Sequence, residues 1–123
     1  MAWTAIFTAI AIAGSGAAIA AERKPRSLTA PKTFAGVASF YNQPGKVASG
    51  GRYDPRKLTA AHRSLPFGTR LRVTDPKSGR SVVVVINDRG PFIRGRVIDL
   101  SLAAARELRM MKRGLMRVQV AVQ

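Results

Sequence analysis

The sequence lacks cysteine and contains few acidic residues and little histidine. It has no Cys, one His and six Asp plus Glu, against 21 Lys plus Arg, in 123 residues. The absence of Cys excludes disulfides, thiolate chemistry and thiolate-bound metals, and a single His excludes a His-rich metal site. We therefore expect no metal and no cofactor. The length allows one domain at most.

The scarcity of acids leaves a formal net charge of +15. A field of this sign attracts polyanions such as nucleic acid, anionic lipid or an acidic cell-wall polymer. A basic surface can also serve solubility alone, so the charge indicates the sign of a partner without identifying it. A nucleic-acid-binding protein is compatible with the charge, but the N-terminal segment and the scarcity of aromatic residues in the loops argue against it.

The first 21 residues contain no charged side chain and are mostly Ala and Ile. The small-x-small tripeptide Ala18-Ile19-Ala20 precedes the polar sequence AERKPRS, as at a signal-peptide cleavage site. We predict a secretory signal over residues 1–20, a linker over 21–33, and a secreted or periplasmic protein without a lipid on Cys. An uncleaved membrane anchor is the alternative; after cleavage we expect no stable membrane insertion.

From residue 34 onward the pattern is one of short strands. The runs FAGVASFY, TRLRVTD, SVVVVIN, GRVID and RVQVAV are alternating or continuously apolar, and LTAAH is a short strand or a helical turn. The turn sequence DPKSGR predicts a hairpin between the second and third of these runs. Ser101 can cap a helix over residues 101–110. Many strands with one helix predict a small closed barrel, which also protects the strand edges.

One of the acids beyond the linker differs from the others. Asp88 follows the apolar run VVVVI at the mouth of the predicted core, where partial desolvation suits a proton donor. An Asp beside Gly-Pro at a strand end also often only fixes a turn. His62, the single histidine, also has two interpretations, as a buried, hydrogen-bonded side chain or as an active one. We expect Asp75 to form the hairpin turn and Asp99 to bond local backbone amides.

Four segments together resemble one known family: GVASFYN, LTAAHRSLPFGTRLRVTD, GRSVVVVINDRGPFIRGRVIDLSLAAARELRM and GLMRVQVAV. They are similar to the rare lipoprotein A (RlpA) family of bacterial cell-envelope proteins over residues 34–123. The resemblance implies a six-stranded double-psi β-barrel with one short helix. It also implies an endolytic peptidoglycan transglycosylase, which cleaves glycan strands between N-acetylmuramic acid and N-acetylglucosamine and leaves 1,6-anhydro ends. We expect the protein to be a monomer.

Three family positions match residue by residue. The aspartate of the NDRGP motif is Asp88, the histidine of the TAAH motif is His62, and the aspartate of the loop motif ASGExYD is Asp54 in ASGGRYD. The resemblance implies that these three are catalytic. The glutamate of the loop motif falls on Gly51, which cannot carry a proton. Substrate-binding residues are expected at the rim: Arg52, Tyr53, Arg89 and Arg94.

The missing glutamate leaves two functions open. A hydrolase normally needs two carboxylates, but an intramolecular transglycosylation can use one group first as acid and then as base, because the attacking hydroxyl is tethered to the substrate. Asp88 alone can then serve. The alternative is a non-catalytic peptidoglycan-binding module or an expansin-like wall-loosening module, since similar folds host different functions. Arg89 has a second interpretation as well, as a brace of its own turn.

Overall fold

Six strands and one short helix make up the part of the chain, residues 32–123, that the computed structural model describes. In chain order the elements are β1 (Thr33–Phe40), β2 (Thr59–Ala61), β3 (Arg70–Thr74), β4 (Ser81–Asp88), β5 (Arg96–Leu100), α1 (Leu102–Glu107) and β6 (Met116–Val122). The predicted signal segment, and all but the end of the predicted linker, lie outside the described residues.

The strands close into a barrel in the order β1-β5-β2-β4-β3-β6. The β1–β5 and β2–β4 pairs are parallel, and the other four pairs are antiparallel. Each parallel pair joins strands that are distant in sequence, so the connections must cross over the barrel. The predicted closed six-stranded barrel with one short helix is confirmed.

The predicted hairpin is β3–β4, in register from Arg70 opposite Val85 to Thr74 opposite Ser81. Its alternation places Leu71 inside the barrel, while the neighbouring arginines are exposed. The inward-facing side chains form one apolar core with those of the helical segment. Its fully buried members include Leu71, Val73, Val84, Ile86, Ile98, Leu100, Leu108, Met110 and Val118.

Asp75 holds the hairpin turn, as predicted. One carboxylate oxygen accepts the Lys77 N–H at 3.0 Å and the other accepts the Ser78 hydroxyl at 2.8 Å. These two donors, the Ser78 hydroxyl first, lower the pKa of Asp75 below its ordinary value. Both oxygens of this carboxylate are therefore satisfied within the turn itself.

The helix is capped as predicted but is shorter than predicted. The buried Ser101 hydroxyl accepts the Ala104 N–H at 3.3 Å and donates to the Lys57 carbonyl at 2.7 Å. The helix ends at Glu107 instead of residue 110, because Arg109 takes a φ of 57° and left-handed backbone ends a helix. Within residues 32–123, no helix has both the length and the hydropathy needed to cross a membrane.

Candidate active site

Four residues lie side by side across four neighbouring strands. Ser39 of β1 pairs with Asp99 of β5, Asp99 pairs with Ala61 of β2, and Ala61 pairs with Asp88 of β4. The β2–β4 register shifts between Ala60 and Ala61, where Asn87 is the additional residue of a bulge, and the pairing places the two aspartates on the strands to either side of Ala61. Neighbouring strands lie about 4.8 Å apart, which places Asp88 and Asp99 two strand spacings apart. We call these four residues the transverse row.

Asp88 ends β4 with one carboxylate oxygen anchored and the other open. Its Oδ1 accepts the Ala48 N–H at 2.8 Å and the Arg89 N–H at 2.9 Å. Within residues 32–123, no donor bonds to Oδ2, and the residue is half-buried. The backbone N–H of His62 donates to the Asp88 carbonyl at 3.1 Å, so the two predicted catalytic residues are adjacent at the ends of β2 and β4.

The loop of residues 46–52 is docked on the end of β4. Its own turn is closed by the Val47 N–H, which donates to the Gly51 carbonyl at 2.8 Å, and Val47 is buried. Its tip contacts the strand twice, through Ala48 on Asp88 and through the Ser49 N–H, which donates to the Asn87 carbonyl at 3.1 Å. Gly51 therefore belongs to the same short loop that anchors the Asp88 carboxylate.

A larger side chain can replace Gly51 without strain. A Cβ added there meets no other atom within 4 Å, and Gly51 is not in the left-handed region, unlike Gly50 with its φ of 107°. Gly51 is also exposed. The backbone therefore has no need of glycine at this position.

His62 is held as a neutral imidazole. Its Nδ1 accepts the backbone N–H groups of Ser64 at 3.0 Å and Leu65 at 3.1 Å, so the ring proton is on Nε2. Burial, followed by the positive charges of Arg63 and Arg89, lowers the pKa of His62 below its ordinary value. The ring can donate a hydrogen bond through Nε2, but its Nδ1 is already used by the loop.

Arg89 braces the loop between β2 and β3. Its guanidinium donates to the Leu65 carbonyl at 2.7 Å and to the His62 carbonyl at 3.2 Å, and it lies over the Phe67 ring at 4.1 Å from the centroid. This is the second of the two interpretations of Arg89 given by the sequence. Arg52 and Arg94 are exposed and remain available to a ligand.

Asp54 and Tyr53 are engaged in local structure. The Asp54 carboxylate accepts the Arg56 backbone N–H at 2.9 Å and its Nε–H at 3.3 Å, and the backbone bond is the main cause that lowers the pKa of Asp54. Within the described part of the chain, no hydrogen bond joins Asp54 to Asp88 or His62. The Tyr53 hydroxyl donates to a carbonyl at 2.8 Å and accepts the first N–H of α1 at 3.0 Å.

The expectation that Asp99 bonds local backbone amides is wrong. Its Oδ1 accepts the hydroxyl of Ser39, 60 positions away, and the Arg96 guanidinium at 2.7 Å. Arg96 also donates to the Ser39 hydroxyl. The spacing of Arg96 and Asp99 on one short strand could have predicted the contact between these two residues. The contact with Ser39 depends on the β1–β5 pairing, which the sequence does not show.

Tyr41 is a further residue that the sequence reasoning missed. Its hydroxyl is buried and, among residues 32–123, has no hydrogen-bond partner. Burial raises the pKa of Tyr41, and the nearby charges of Asp88, Tyr53 and Asp99 raise it further. The same part of the chain has no group of three or more His, Asp or Glu side chains placed to bind a metal ion.

Comparison with curated proteins identifies close relatives. A protein of Nostoc sp. named a probable endolytic peptidoglycan transglycosylase RlpA is 58% identical over 95 residues, which cover 73% of this chain and 26% of the relative. The protein of that name from Aquifex aeolicus is 46% identical over 95 residues, 75% of this chain and 42% of the relative. This chain thus spans less than half the length of these relatives.

Solved structures share the fold. The Streptomyces papain inhibitor superposes with a TM-score of 0.64 at 23% identity, covering 77% of this chain and 98% of the inhibitor. An expansin of Clavibacter michiganensis superposes with a TM-score of 0.60 at 25% identity, covering 75% of this chain and 50% of the expansin, and a mutant of it was solved with cellohexaose. These neighbours, with the observed strand order, confirm the double-psi β-barrel.

The family match covers nearly all of the described residues. The model of the family described as lytic transglycolase matches residues 33–120, from the first residue of β1 into β6. The matched span contains both aspartates of the transverse row, His62 and the loop of residues 46–52. The chain belongs to the lytic transglycolase family, as the RlpA resemblance in its sequence implied.

Proposed function

We propose that this protein is an endolytic peptidoglycan transglycosylase in which Asp88 acts first as acid and then as base. The observation that carries the proposal is the bonding of this carboxylate. Two backbone N–H groups fix Oδ1 at 2.8 and 2.9 Å, while Oδ2 has no donor among residues 32–123. A proton-transfer group needs this combination of a fixed orientation and one open oxygen.

The reaction proceeds with one proton moving out and one moving back. Protonated Asp88 donates its proton to the glycosidic oxygen between N-acetylmuramic acid and N-acetylglucosamine as the bond from that oxygen to C1 breaks. The C6 hydroxyl of the muramyl residue then attacks C1 and gives its proton to Asp88. The product is a 1,6-anhydro ring, and no water is consumed. The attacking hydroxyl is tethered to its target, so its orientation costs little entropy.

Other residues around Asp88 supply binding and support. Neutral His62 can donate its Nε2–H to a sugar oxygen. Arg52 and Arg94 are exposed on the loops that flank Asp88 and can attract the acidic stem peptides of peptidoglycan. Phe92 is 76% exposed and Ile93 54% exposed on the loop that follows Asp88, and they offer an apolar surface to the face of a sugar ring. Arg89, Tyr53 and Asp54 instead hold the loops in place.

The predicted export of the chain is consistent with this substrate, because peptidoglycan lies outside the cytoplasmic membrane. We therefore propose that the protein acts in the cell envelope as a monomer. Peptidoglycan glycan strands are the proposed partner. The relatives that carry the transglycosylase name support the same substrate class for this chain.

Gly51 favours a second function, that of a glycan-binding module without cleavage. The family glutamate is absent although the loop accepts a side chain there freely. Asp88 would then only bind a glycan hydroxyl. A mutant expansin that shares this barrel was solved in complex with the oligosaccharide cellohexaose, which supports glycan binding by the fold, and the basic surface would hold the acidic wall polymer.

Mass spectrometry of purified peptidoglycan sacculi separates these functions. The wild-type protein and Asp88→Asn are each incubated with sacculi, and both the released muropeptides and the bound protein are measured. Anhydro-muramyl products that depend on Asp88 support the transglycosylase. Products with reducing ends identify a hydrolase, and co-sedimentation without any product identifies a binder; either result contradicts the proposed reaction.

A further inference from the structure

Residues 106–117, which run from the end of α1 to the start of β6 and which we call the connecting segment, are fixed to the barrel by buried side chains. Leu108 and Met110 are 1% and 0% exposed, and Met116, the first residue of β6, is 3% exposed. Between these anchors the chain turns tightly, because the Gly114 N–H donates to the Met110 carbonyl at 3.0 Å. The connecting segment therefore presents its other side chains from a defined backbone.

The side chains that the connecting segment exposes are basic or apolar, apart from Glu107. Met111 is 39% exposed and Leu115 is 51% exposed. The exposed basic residues are Arg106, Arg109, Lys112, Arg113 and Arg117. Within residues 32–123 none of these five forms an ion pair, and the sequence contains no Asp or Glu after Glu107. Five basic residues and one acid give the segment a net charge of +4.

The turn of the β3–β4 hairpin extends this surface. Strands β3 and β6 are antiparallel, with Thr74 at the end of β3 opposite Gln119, so the residues of β6 before Gln119 continue past the end of β3 and beside the turn. The turn exposes Lys77 and Arg80, whereas its one acid, Asp75, is buried and bonded within the turn. We call the exposed side chains of the connecting segment and of this turn the basic end of the barrel.

The basic end lies away from the candidate active site. The hairpin turn precedes β4 and Asp88 ends it, and the eight residues of β4 span about 23 Å. The exposed apolar residues at the other end of this strand, Phe92 and Ile93, follow Asp88. The two ends of the molecule can therefore bind different partners at the same time.

A surface of this composition fits an anionic lipid bilayer better than a soluble polyanion. Each Lys or Arg near a negative headgroup layer strengthens binding about fivefold. The exposed parts of Met111 and Leu115 gain contact with the acyl region of a bilayer, whereas a dissolved polymer would leave them in water. Long basic side chains keep their charges at the headgroups while apolar neighbours enter the layer below.

We infer that the basic end is a docking surface for an anionic phospholipid bilayer, which the barrel binds peripherally through Met111, Leu115 and the basic side chains around them. A protein bound in this way turns Asp88 away from the bilayer. The inference uses no residue of the candidate active site, so it does not depend on the reaction proposed for Asp88.

Co-sedimentation of the full-length protein with lipid vesicles measures this binding. Vesicles of phosphatidylcholine alone are compared with vesicles of equal parts phosphatidylcholine and phosphatidylglycerol. We expect binding to the anionic vesicles that decreases as salt rises from about 0.1 to 1 M, because the Debye length shortens from about 10 to 3 Å. Residues 1–21 carry no charged side chain, so the difference between the two vesicles reports the basic side chains of the rest of the chain.

The charge of the basic end is tested by a double variant with a matched control. Lys112→Gln with Arg113→Gln should weaken binding to the anionic vesicles about 25-fold, from two basic side chains. Arg63→Gln with Arg70→Gln removes the same charge from exposed positions at the other end of β3, and it should leave this binding nearly unchanged. Equal losses in the two double variants overturn the inference, because net charge alone then accounts for the binding.

The apolar contact is tested in the same way. Leu115→Ser should weaken binding about three- to tenfold, because about half of this side chain is free to contact lipid. Ile93→Ser is the matched control, since Ile93 is 54% exposed but follows Asp88. A larger loss in Ile93→Ser places the bilayer at the candidate site and overturns the inference.

A fluorescent label gives a measurement that does not depend on weakened binding. The chain contains no Cys, so Leu115→Cys and Ile93→Cys each provide one site for a polarity-sensitive dye. We expect the emission to move to shorter wavelength on anionic vesicles at position 115 and not at position 93. No shift at position 115 overturns the inference. A loss of sacculus binding without a loss of vesicle binding in Lys112→Gln with Arg113→Gln also overturns it, because the surface then binds the wall polymer.

Discussion

One aspartate, Asp75, lies in the turn before β4 and another, Asp88, ends β4, and the two carboxylates are bonded differently. Asp75 is 4% exposed, and its two oxygens accept bonds from residues two and three positions further along. Asp88 uses one oxygen, bonded to Arg89 and to Ala48, 40 positions away. A carboxylate satisfied completely by its own turn has a structural role, whereas one held at a single oxygen remains available for chemistry.

Exchanging each carboxylate for an amide is the strongest test of this comparison. Asp88→Asn keeps an oxygen for the Ala48 and Arg89 N–H groups but removes the titratable proton. We expect the rate of anhydro-muropeptide release to fall at least about 100-fold, with folding and sacculus binding nearly unchanged. The measurement is product release by mass spectrometry beside thermal unfolding.

Asp75→Asn is the matched control for this exchange. It should lower the melting temperature, because the amide cannot accept both the Ser78 hydroxyl and the Lys77 N–H at the same strength. Activity per folded molecule should stay at the wild-type level. Full activity in Asp88→Asn, or a comparable loss of rate in Asp75→Asn, contradicts the division of roles between the two ends of β4.

Restoring the family glutamate at Gly51 tests the role of the Asp88 end of β4. Gly51→Glu places a second carboxylate on the loop that already contacts Asp88, at a position with open space and no left-handed backbone. We expect turnover on sacculi to rise by about 100-fold, the low end of the range for a general acid or base. Gly51→Gln is the control of equal size. An equal rise in both variants assigns the effect to loop rigidity instead of proton transfer.

The arginines of the loop after β4 extend the comparison to basic side chains. Arg89→Ala removes a guanidinium bonded to two carbonyls and packed on Phe67. It should lower the free energy of unfolding by about 1–3 kcal/mol, as measured by urea denaturation. Arg94→Ala, five positions from the bracing Arg89 but itself exposed, should leave stability unchanged and weaken sacculus binding. The reverse pattern contradicts these assignments.

The smallest expected effect is an acid-dependent loss of stability through His62. Because burial lowers the pKa of His62 from its ordinary value of 6.5, the unfolded chain binds this proton more readily than the folded protein. The stabilisation is complete above that value and decreases as the pH falls below it. His62→Asn retains an acceptor for the Ser64 and Leu65 N–H groups without titrating. The urea midpoint should decrease more in the wild-type protein than in His62→Asn when the pH is lowered from about 7 to about 5. Equal decreases in the two proteins exclude His62 as the cause.

Elements fixed by neighbouring residues could be predicted from the sequence. The β3–β4 hairpin follows from the alternation in TRLRVTD, the apolar run SVVVVIN and the turn residues between them. The Ser101 cap follows from a single side chain before an apolar stripe. Asp88 could be singled out because it ends the most apolar strand, and the family motif then supplied a function. In each case the signal lies within about 20 consecutive residues of the chain, close to the window of about 11–18 residues over which local periodicity is informative.

Features that depend on long-range pairing could not be predicted in this way. The place of Asp99 in the transverse row requires the parallel β1–β5 pair and the short β2 strand between β5 and β4. Tyr41 follows an apolar strand, and nothing near it in sequence indicates that its hydroxyl is buried without a partner in the described part of the chain. The early end of the helix depends on the left-handed backbone of Arg109, a residue type that rarely adopts it.

The transverse row also determines when the site can form during folding. Its members come from positions 39, 61, 88 and 99, and no two of them belong to one hairpin. Each contact between them closes a long loop, which is slow because the chain entropy is lost before the contacts are gained. The hairpin of β3 and β4 can form early and locally, but it presents Asp88 without its neighbours. We therefore expect the candidate site to be assembled late in folding, when the barrel closes.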